Sequence, residues 1–169
     1  MTDTALPAES AKSGFQLMIR AARASDLPVI VQLLHDDHNG RLREDPSEPL
    51  DPRYAAGFDV IAASPDQLLA VAERNGVVVG TMQLSFLPGI AFRGAWRMQI
   101  ESVRIASSLR GQGLGAVMID WAIERARERD CKMVQLTSQL DRTDAHRFYE
   151  RLGFSRSHAG FKLRLGPAS

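Results

Sequence analysis

The 169 residues hold one cysteine, two tyrosines and two tryptophans. A lone Cys131 excludes any disulfide within the chain, which fits a reducing, cytoplasmic setting. It heads the apolar run "CKMV" and reads as a packed thiol, not as a nucleophile. No apolar run approaches the roughly 20 residues of a membrane-spanning helix. The first residues lack the basic and apolar regions of a secretory signal, so no membrane partner is expected. An excess of one charge is missing too: 21 basic residues face 20 acidic ones, net +1. That excludes the cationic footprint of a nucleic-acid binder. Lysine is scarce, and three lysines leave nearly all the positive charge to arginine. The four histidines, His35, His38, His146 and His158, lack the spacing of a metal site. "HDDH" at 35–38 reads as a solvated helix end, and no metal is expected.

The length suits one domain. Residues 1–14, "MTDTALPAESAKSG", are small and polar and read as a flexible tail, leaving 15–169 as the domain. "FQLMIRAA" (15–22) predicts a strand. Leu27, Ile30, Val31 and Leu34 then recur at helical spacing behind Ser25, the expected N-cap, and Pro28. Residues 35–63 are irregular and rich in charges, and predict a helix or two joined by loops. Two β-rich runs within 67–87 flank Asn75-Gly76, the preferred pair of a tight hairpin turn. A third β run covers 95–105. After it come a glycine-rich stretch with a long amphipathic helix, a strand at 131–138, and a helix in "RTDAHRFYERLG". Thr143 or Asp144 is the expected cap of that helix and Gly153 its stop. A last strand is predicted at 161–165. The order is α/β with a mixed sheet, parallel where the long helix crosses from the third β run to the next strand.

The glycine stretch "SSLRGQGLGA" fits two phosphate sites. Gly111, Gly113 and Ala116 satisfy the dinucleotide pattern G-x-G-x-x-G/A. That fingerprint follows its strand directly, and its next strand ends in an acidic residue for the ribose. Here "ASSLR" intervenes and the next strand ends in Thr137, Ser138 and Gln139, which argues against an oxidoreductase. Arg110, Gly113 and Gly115 satisfy a second pattern, [Q/R]-x-x-G-x-[G/A]. The first turn of the following helix carries no acidic side chain, so its free N–H groups and positive end are open to an anion.

Strand, "RGQGLG", amphipathic helix, strand and then "AHRFYERLGF", in that order, resemble the GNAT superfamily of acetyl-coenzyme A-dependent N-acetyltransferases. The resemblance spans about 17–165 and is most specific in 101–154. It implies a GNAT-like fold, a central mixed sheet of about six to seven strands with about four helices, splayed between the strand at 97–105 and that at 131–138. It implies acetyl-CoA as co-substrate, with its pyrophosphate on the backbone of Arg110, Gly111, Gln112, Gly113, Leu114 and Gly115, and Ala116 close by. The pantetheine arm and thioester map to Val103 and Ile105, and Tyr149 maps to the proton donor for the leaving thiolate. Many members carry an asparagine where this chain has Arg142, which here is expected to reach a coenzyme A phosphate. Glu101 is the candidate base. By the period-two rule it is expected on the same strand face as Val103 and Ile105. His146, one turn before Tyr149, is expected toward the cleft.

The implied activity is direct transfer of the acetyl group to a primary amine of a small molecule or peptide. A non-catalytic acetyl-CoA sensor is the alternative, and Tyr149 with Glu101 argues against it. The acceptor is expected between 35–60 and the loop at 86–96, where the acids of "HDDHNGRLREDPSE" would suit a cation. "DAHRFY" and "SH" at 157–158 also resemble members that acetylate aminoalkylphosphonates. Protein N-termini, polyamines, aminoglycosides and amino acids stay open as acceptors. Relatives are often dimers, so the resemblance also allows a homodimer.

Overall fold

The computed structural model describes residues 17–37, 40–163 and 165. The tail at 1–14 and His38 lie outside the described residues, as do the first two positions of the predicted first strand. The elements run β1 (Leu17–Ala21), α1 (Leu27–His35), α2 (Pro52–Ala63), β2 (Gln67–Arg74), β3 (Val77–Leu87), α3 (Ala91–Gly94), β4 (Arg97–Ile105), α4 (Leu114–Glu128), β5 (Met133–Leu136) and α5 (Thr143–Arg151). This is an α/β fold. One five-stranded sheet has the order β1-β2-β3-β4-β5. The pairs are antiparallel up to β4, and β4 and β5 are parallel.

The hairpin forms where expected. Asn75 (φ 53) and Gly76 (φ 77) are both left-handed, the geometry that lets a two-residue turn follow the twist of its strands. In α4, Leu114, Met118, Ala122 and Ala126 repeat every fourth residue and are buried. They lie on one stripe against Ala70, Met82, Leu84, Met98 and Ile100 of the sheet. Each fully buried Leu, Ile or Met contributes about 1.5–3 kcal/mol of transfer free energy. On the opposite face, α1 buries Ile30 and Val31, and Val71 and Thr81 are buried with them.

Four local expectations differ. α1 starts after a 3-10 turn at Ala24–Asp26, so Ser25 does not cap it. The Asp26 carboxylate instead accepts from the Arg23 amide at 2.7 Å and from the Arg20 guanidinium at 2.7 Å. Thr143 and Asp144 lie inside α5, and the N-cap residue is Arg142. Asp144 faces the positive helix end and pairs with Arg147. α3 is a single turn with Phe92 and Arg93 left-handed, one helix more than the sequence suggests. The sheet has five strands because 161–163 and 165 form none. Phe161, Leu163 and Leu165 are 94%, 85% and 92% exposed. Alternation makes a strand only where a neighbour offers backbone partners and an apolar surface, and β5, the adjacent edge, is four residues long.

Candidate active site

β5 pairs with β4 only from Arg97↔Met133 to Ile100↔Leu136. Beyond Ile100 the two strands part, and Glu101–Ile105 keeps only its β3 side. This is the expected splay. Its physical cause lies in both strands: β5 ends, and β4 bulges. Thr81 pairs with Arg104 but Gln83 with Glu101, so Ser102 and Val103 together oppose Met82. Ser102 takes up the extra residue at φ 54, a left-handed conformation that costs a non-glycine residue about 1 kcal/mol.

The bulge corrects the period-two expectation. Glu101 shares the face of its cross-strand partner Gln83, which lines a pocket under α1 and α2. Val103 and Ile105 pack instead on the core beneath α4. Glu101 therefore stands on the opposite face from both.

The pocket encloses about 190 Å³. Ile30 and Leu34 of α1 and Tyr54, Phe58 and Ile61 of α2 wall it, and Thr81, Gln83 and Ser102 form its floor. α2 is tied down through Tyr54, whose hydroxyl accepts from the Asp45 amide at 3.0 Å and donates to Glu44 at 3.1 Å. The loop at 86–96 takes no part in the lining.

The glycine loop leads into α4 with Gly113 as N-cap, at φ 82 and without a side-chain cap. A Cβ on Gly111 or Gly113 would meet nothing within 4 Å, so the outer side of the loop is open. The backbone amides of 111–115 find no acceptor among the described residues. Open amides at an uncapped helix start suit a pyrophosphate. Gly115 is small for another reason: a Cβ there would lie 3.3 Å from the Phe148 ring of α5. Arg110 is committed to the frame. Its Nε donates to the Ile105 carbonyl at 3.1 Å and its terminal nitrogen to the Asp36 carbonyl at 2.8 Å.

Tyr149 is half-buried on α5, edge-on to Phe148 and Phe154 with centroids 5.0 and 5.8 Å away. Burial pushes its hydroxyl above the ordinary tyrosine value, and the charges of Arg142 and Arg104 pull partly against that. It is thus neutral and carries its proton at neutral pH. The hydroxyl makes no hydrogen bond to a described residue.

Sequence reasoning passed over Arg104, whose signal was a charge inside the otherwise apolar end of β4. Its side chain is 15% exposed and pairs with Asp37 at 3.1 Å. One terminal nitrogen donates to the Val103 carbonyl at 2.9 Å, while the buried Nε has no partner. Burial lowers its pKa, Asp37 opposes that, and Arg142 and Arg43 add to it. Burial alone would raise the Asp37 carboxyl. The Gly40 amide and the charges of Arg104, Arg142 and Arg43 hold it below its ordinary value.

Three acids of the 35–48 stretch, which reads as suiting a cation, are engaged by groups of the protein itself. Asp36 accepts from the Ser107 amide and Arg110, Asp37 from Arg104, and Glu44 from Tyr54. His146 donates to the Gln139 carbonyl at 2.7 Å through Nε2, so that nitrogen is not offered to the cleft. Burial raises the Cys131 thiol pKa, the opposite of an activated nucleophile. Among the described residues no group of three or more His, Cys, Asp or Glu could hold a metal, and no helix is long and apolar enough to cross a membrane.

The profile of the Acetyltransferase (GNAT) family matches residues 28–154. Aminoalkylphosphonate N-acetyltransferase of Salmonella typhimurium is 33% identical over 112 residues, 66% of this chain and 72% of that protein. Two solved structures superpose over 89% of this chain and 100% of their own. A transcriptional regulator from Bacillus halodurans C-125 has a TM-score of 0.86 at 43% identity, and an acetyltransferase of Trypanosoma brucei 0.72 at 28%.

Proposed function

Because the chain belongs to the acetyltransferase (GNAT) family and is an acetyl-CoA-dependent N-acetyltransferase, we propose that it acetylates the primary amine of a small molecule by direct transfer within a ternary complex. The observation that carries this reading is the splay. It leaves Glu101–Ile105 without a β5 partner, on the strand that leads into the open amides of the glycine loop, while Arg104 of that strand acts electrostatically on Tyr149.

The residues fit acetyl-CoA. The amides of 111–115 suit the pyrophosphate, and the open edge at Val103 and Ile105 suits the amide groups of the pantetheine arm. When bound, acetyl-CoA supplies a thioester carbonyl. A backbone N–H of the open β4 edge polarises that carbonyl and stabilises negative charge on its oxygen. Alkyl ammonium groups are protonated at neutral pH, so Glu101, directly or through water, takes a proton and frees the nitrogen lone pair. The C–N bond forms, the C–S bond breaks, and Tyr149 gives the departing sulfur its proton. The ammonium loses two protons in all; one ends on the thiol and one in solvent.

The bulge lets the two sides work together. Glu101 serves the amine from the pocket face, while Val103 and Ile105 belong to the cofactor face. Thermal shift with acetyl-CoA, CoA, NAD and NADP tests the cofactor, and an amine panel followed by thiol release tests transfer. Stabilisation by CoA compounds with thiol release is the expected result. Stabilisation by NAD alone would sink the reading. Acetyl-CoA binding without thiol release from any amine would favour the sensor alternative.

A further inference from the structure

Tyr54, Gly57, Phe58 and Ile61 recur at helical spacing and bring one stripe of α2 onto the pocket. A helix ordinarily buries such a stripe, yet α2 buries none of its residues. Phe58 and Ile61 stay half-exposed because the space beneath them is open. The polar groups of the lining are largely engaged by the protein. The Thr81 hydroxyl donates to the Ala70 carbonyl at 3.0 Å, the Gln83 amide to Gln67 at 3.3 Å, and Arg53 pairs with Asp51 at 2.6 Å. The polarity left over, at Gln83 and Ser102, lies at the β4 end: Gln83 pairs across to Glu101, and Ser102 follows Glu101 in the chain. Gly57 has no packing reason to be small. A Cβ there would meet nothing within 4 Å. The residue lies mid-helix in α2, where glycine is the poorest helix former after proline. What the glycine does is keep the edge of the stripe clear, at the rim of the pocket.

Resting on the acetyltransferase reading, we propose that the acceptor is an amine with an apolar body the size of one ring, seated under α2, and that Gly57 sets how large that body can be. The volume gives the size. An apolar cavity of about 150 Å³ takes up benzene. The pocket, at about 190 Å³, takes a ring and a short alkyl arm. The lining gives the direction. A hydrocarbon body against Leu34, Phe58 and Ile61 leaves the nitrogen at Gln83 and Ser102, beside the carboxylate that takes its proton. A sugar or a phosphorylated chain would instead lose water from its polar groups without regaining the hydrogen bonds. The ring also covers the stripe that α2 leaves half-exposed, so the same apolar area stabilises both ligand and helix.

The test measures steady-state thiol release with 2-phenylethylamine, propylamine and 2-aminoethylphosphonate, for the wild type, Gly57→Ala and Gly57→Leu. Acetyl-CoA affinity is measured separately by calorimetry. The expected wild-type kcat/KM for 2-phenylethylamine is about 10- to 100-fold above that for propylamine, and above that for 2-aminoethylphosphonate. Gly57→Leu should cut the preference over propylamine by about tenfold, through acceptor KM, with acetyl-CoA affinity retained. Gly57→Ala should raise the melting temperature by about 2–4 °C and still shrink the preference several-fold. A merely structural glycine would not trade selectivity for stability in this way. If Gly57→Leu does not fold, Gly57→Ala decides alone. Equal kcat/KM for 2-phenylethylamine and propylamine, or a lead for 2-aminoethylphosphonate, overturns the inference and leaves the acetyltransferase reading standing. So does the absence of thiol release with 2-phenylethylamine where another amine is acetylated. An unchanged preference in both folded variants removes Gly57 from the pocket rim and overturns the seat under α2. A protein that neither binds acetyl-CoA nor releases thiol with any amine overturns the reading beneath the inference, and the inference with it.

Discussion

Glu101 and Val103 stand two residues apart on β4 and belong to opposite faces of the sheet. The left-handed residue between them, Ser102, makes this possible. A regular strand would have put the carboxylate on the cofactor side.

Replacing Glu101 with Gln therefore acts on the amine side. The expected loss is about 10²-fold in kcat/KM for the acceptor, with acetyl-CoA affinity unchanged by calorimetry. Undiminished turnover in the Gln variant would assign the proton to another base.

Tyr149→Phe keeps the ring contacts with Phe148 and Phe154 and removes only the proton. Turnover is expected to fall by about 10²-fold while the acetyl-CoA dissociation constant holds. The direction of the Tyr149 shift gives the pH dependence. The active form is the neutral phenol, and burial raises its pKa. The donor is therefore retained up to and beyond the ordinary tyrosine value of about 10. A wild-type rate that fell off well below that value, or undiminished turnover in the Phe variant, would remove Tyr149 as the acid.

Gly113→Ala places a Cβ at φ 82, which costs about 1–2 kcal/mol. That corresponds to a fall in melting temperature of roughly 2–8 °C for a chain of this size. The new methyl also stands where the loop is open. Acetyl-CoA binding should weaken by about tenfold beyond what the stability loss explains, read by titration well below the melting temperature. Full affinity in a folded variant would move the pyrophosphate away from this loop.

Asp26 is 7% exposed and links the Arg20 guanidinium to the Arg23 amide. The Arg20 hydrogen bond, opposed by burial, sets its carboxyl below the ordinary value. A depressed carboxyl stabilises the fold fully above the unfolded value, about pH 4, and loses that contribution as pH falls through the folded value. Asp26→Asn should cost about 2 kcal/mol near neutrality and flatten the acid limb of a melting-temperature profile. An Asn variant as stable as wild type at pH 7 would contradict the pairing.

The parts legible in the sequence are those fixed by local pattern. Asn75-Gly76 specifies its turn through backbone angles, and the four-residue repeat from Leu114 to Ala126 specifies a buried stripe. What escaped depends on distant partners. The Ser102 bulge arises because Thr81 and Gln83 register differently against β4, and a period-two count along one strand does not contain that register. The same holds for the acids at 36 and 37. They read as a cationic-amine site until the fold brings Arg110 and Arg104 against them. At 161–163 and 165 the alternating pattern is present, but these described residues pair with no strand.

Asp36 accepts from Ser107 and Arg110 of the glycine-loop segment at 3.1 and 3.2 Å, and Asp37 from Arg104 of the open end of β4 at 3.1 Å. The glycine-loop segment and the open end of β4 are thus moored to one post, the C-terminal end of α1. A shift in either mooring is felt by the other across a single peptide unit.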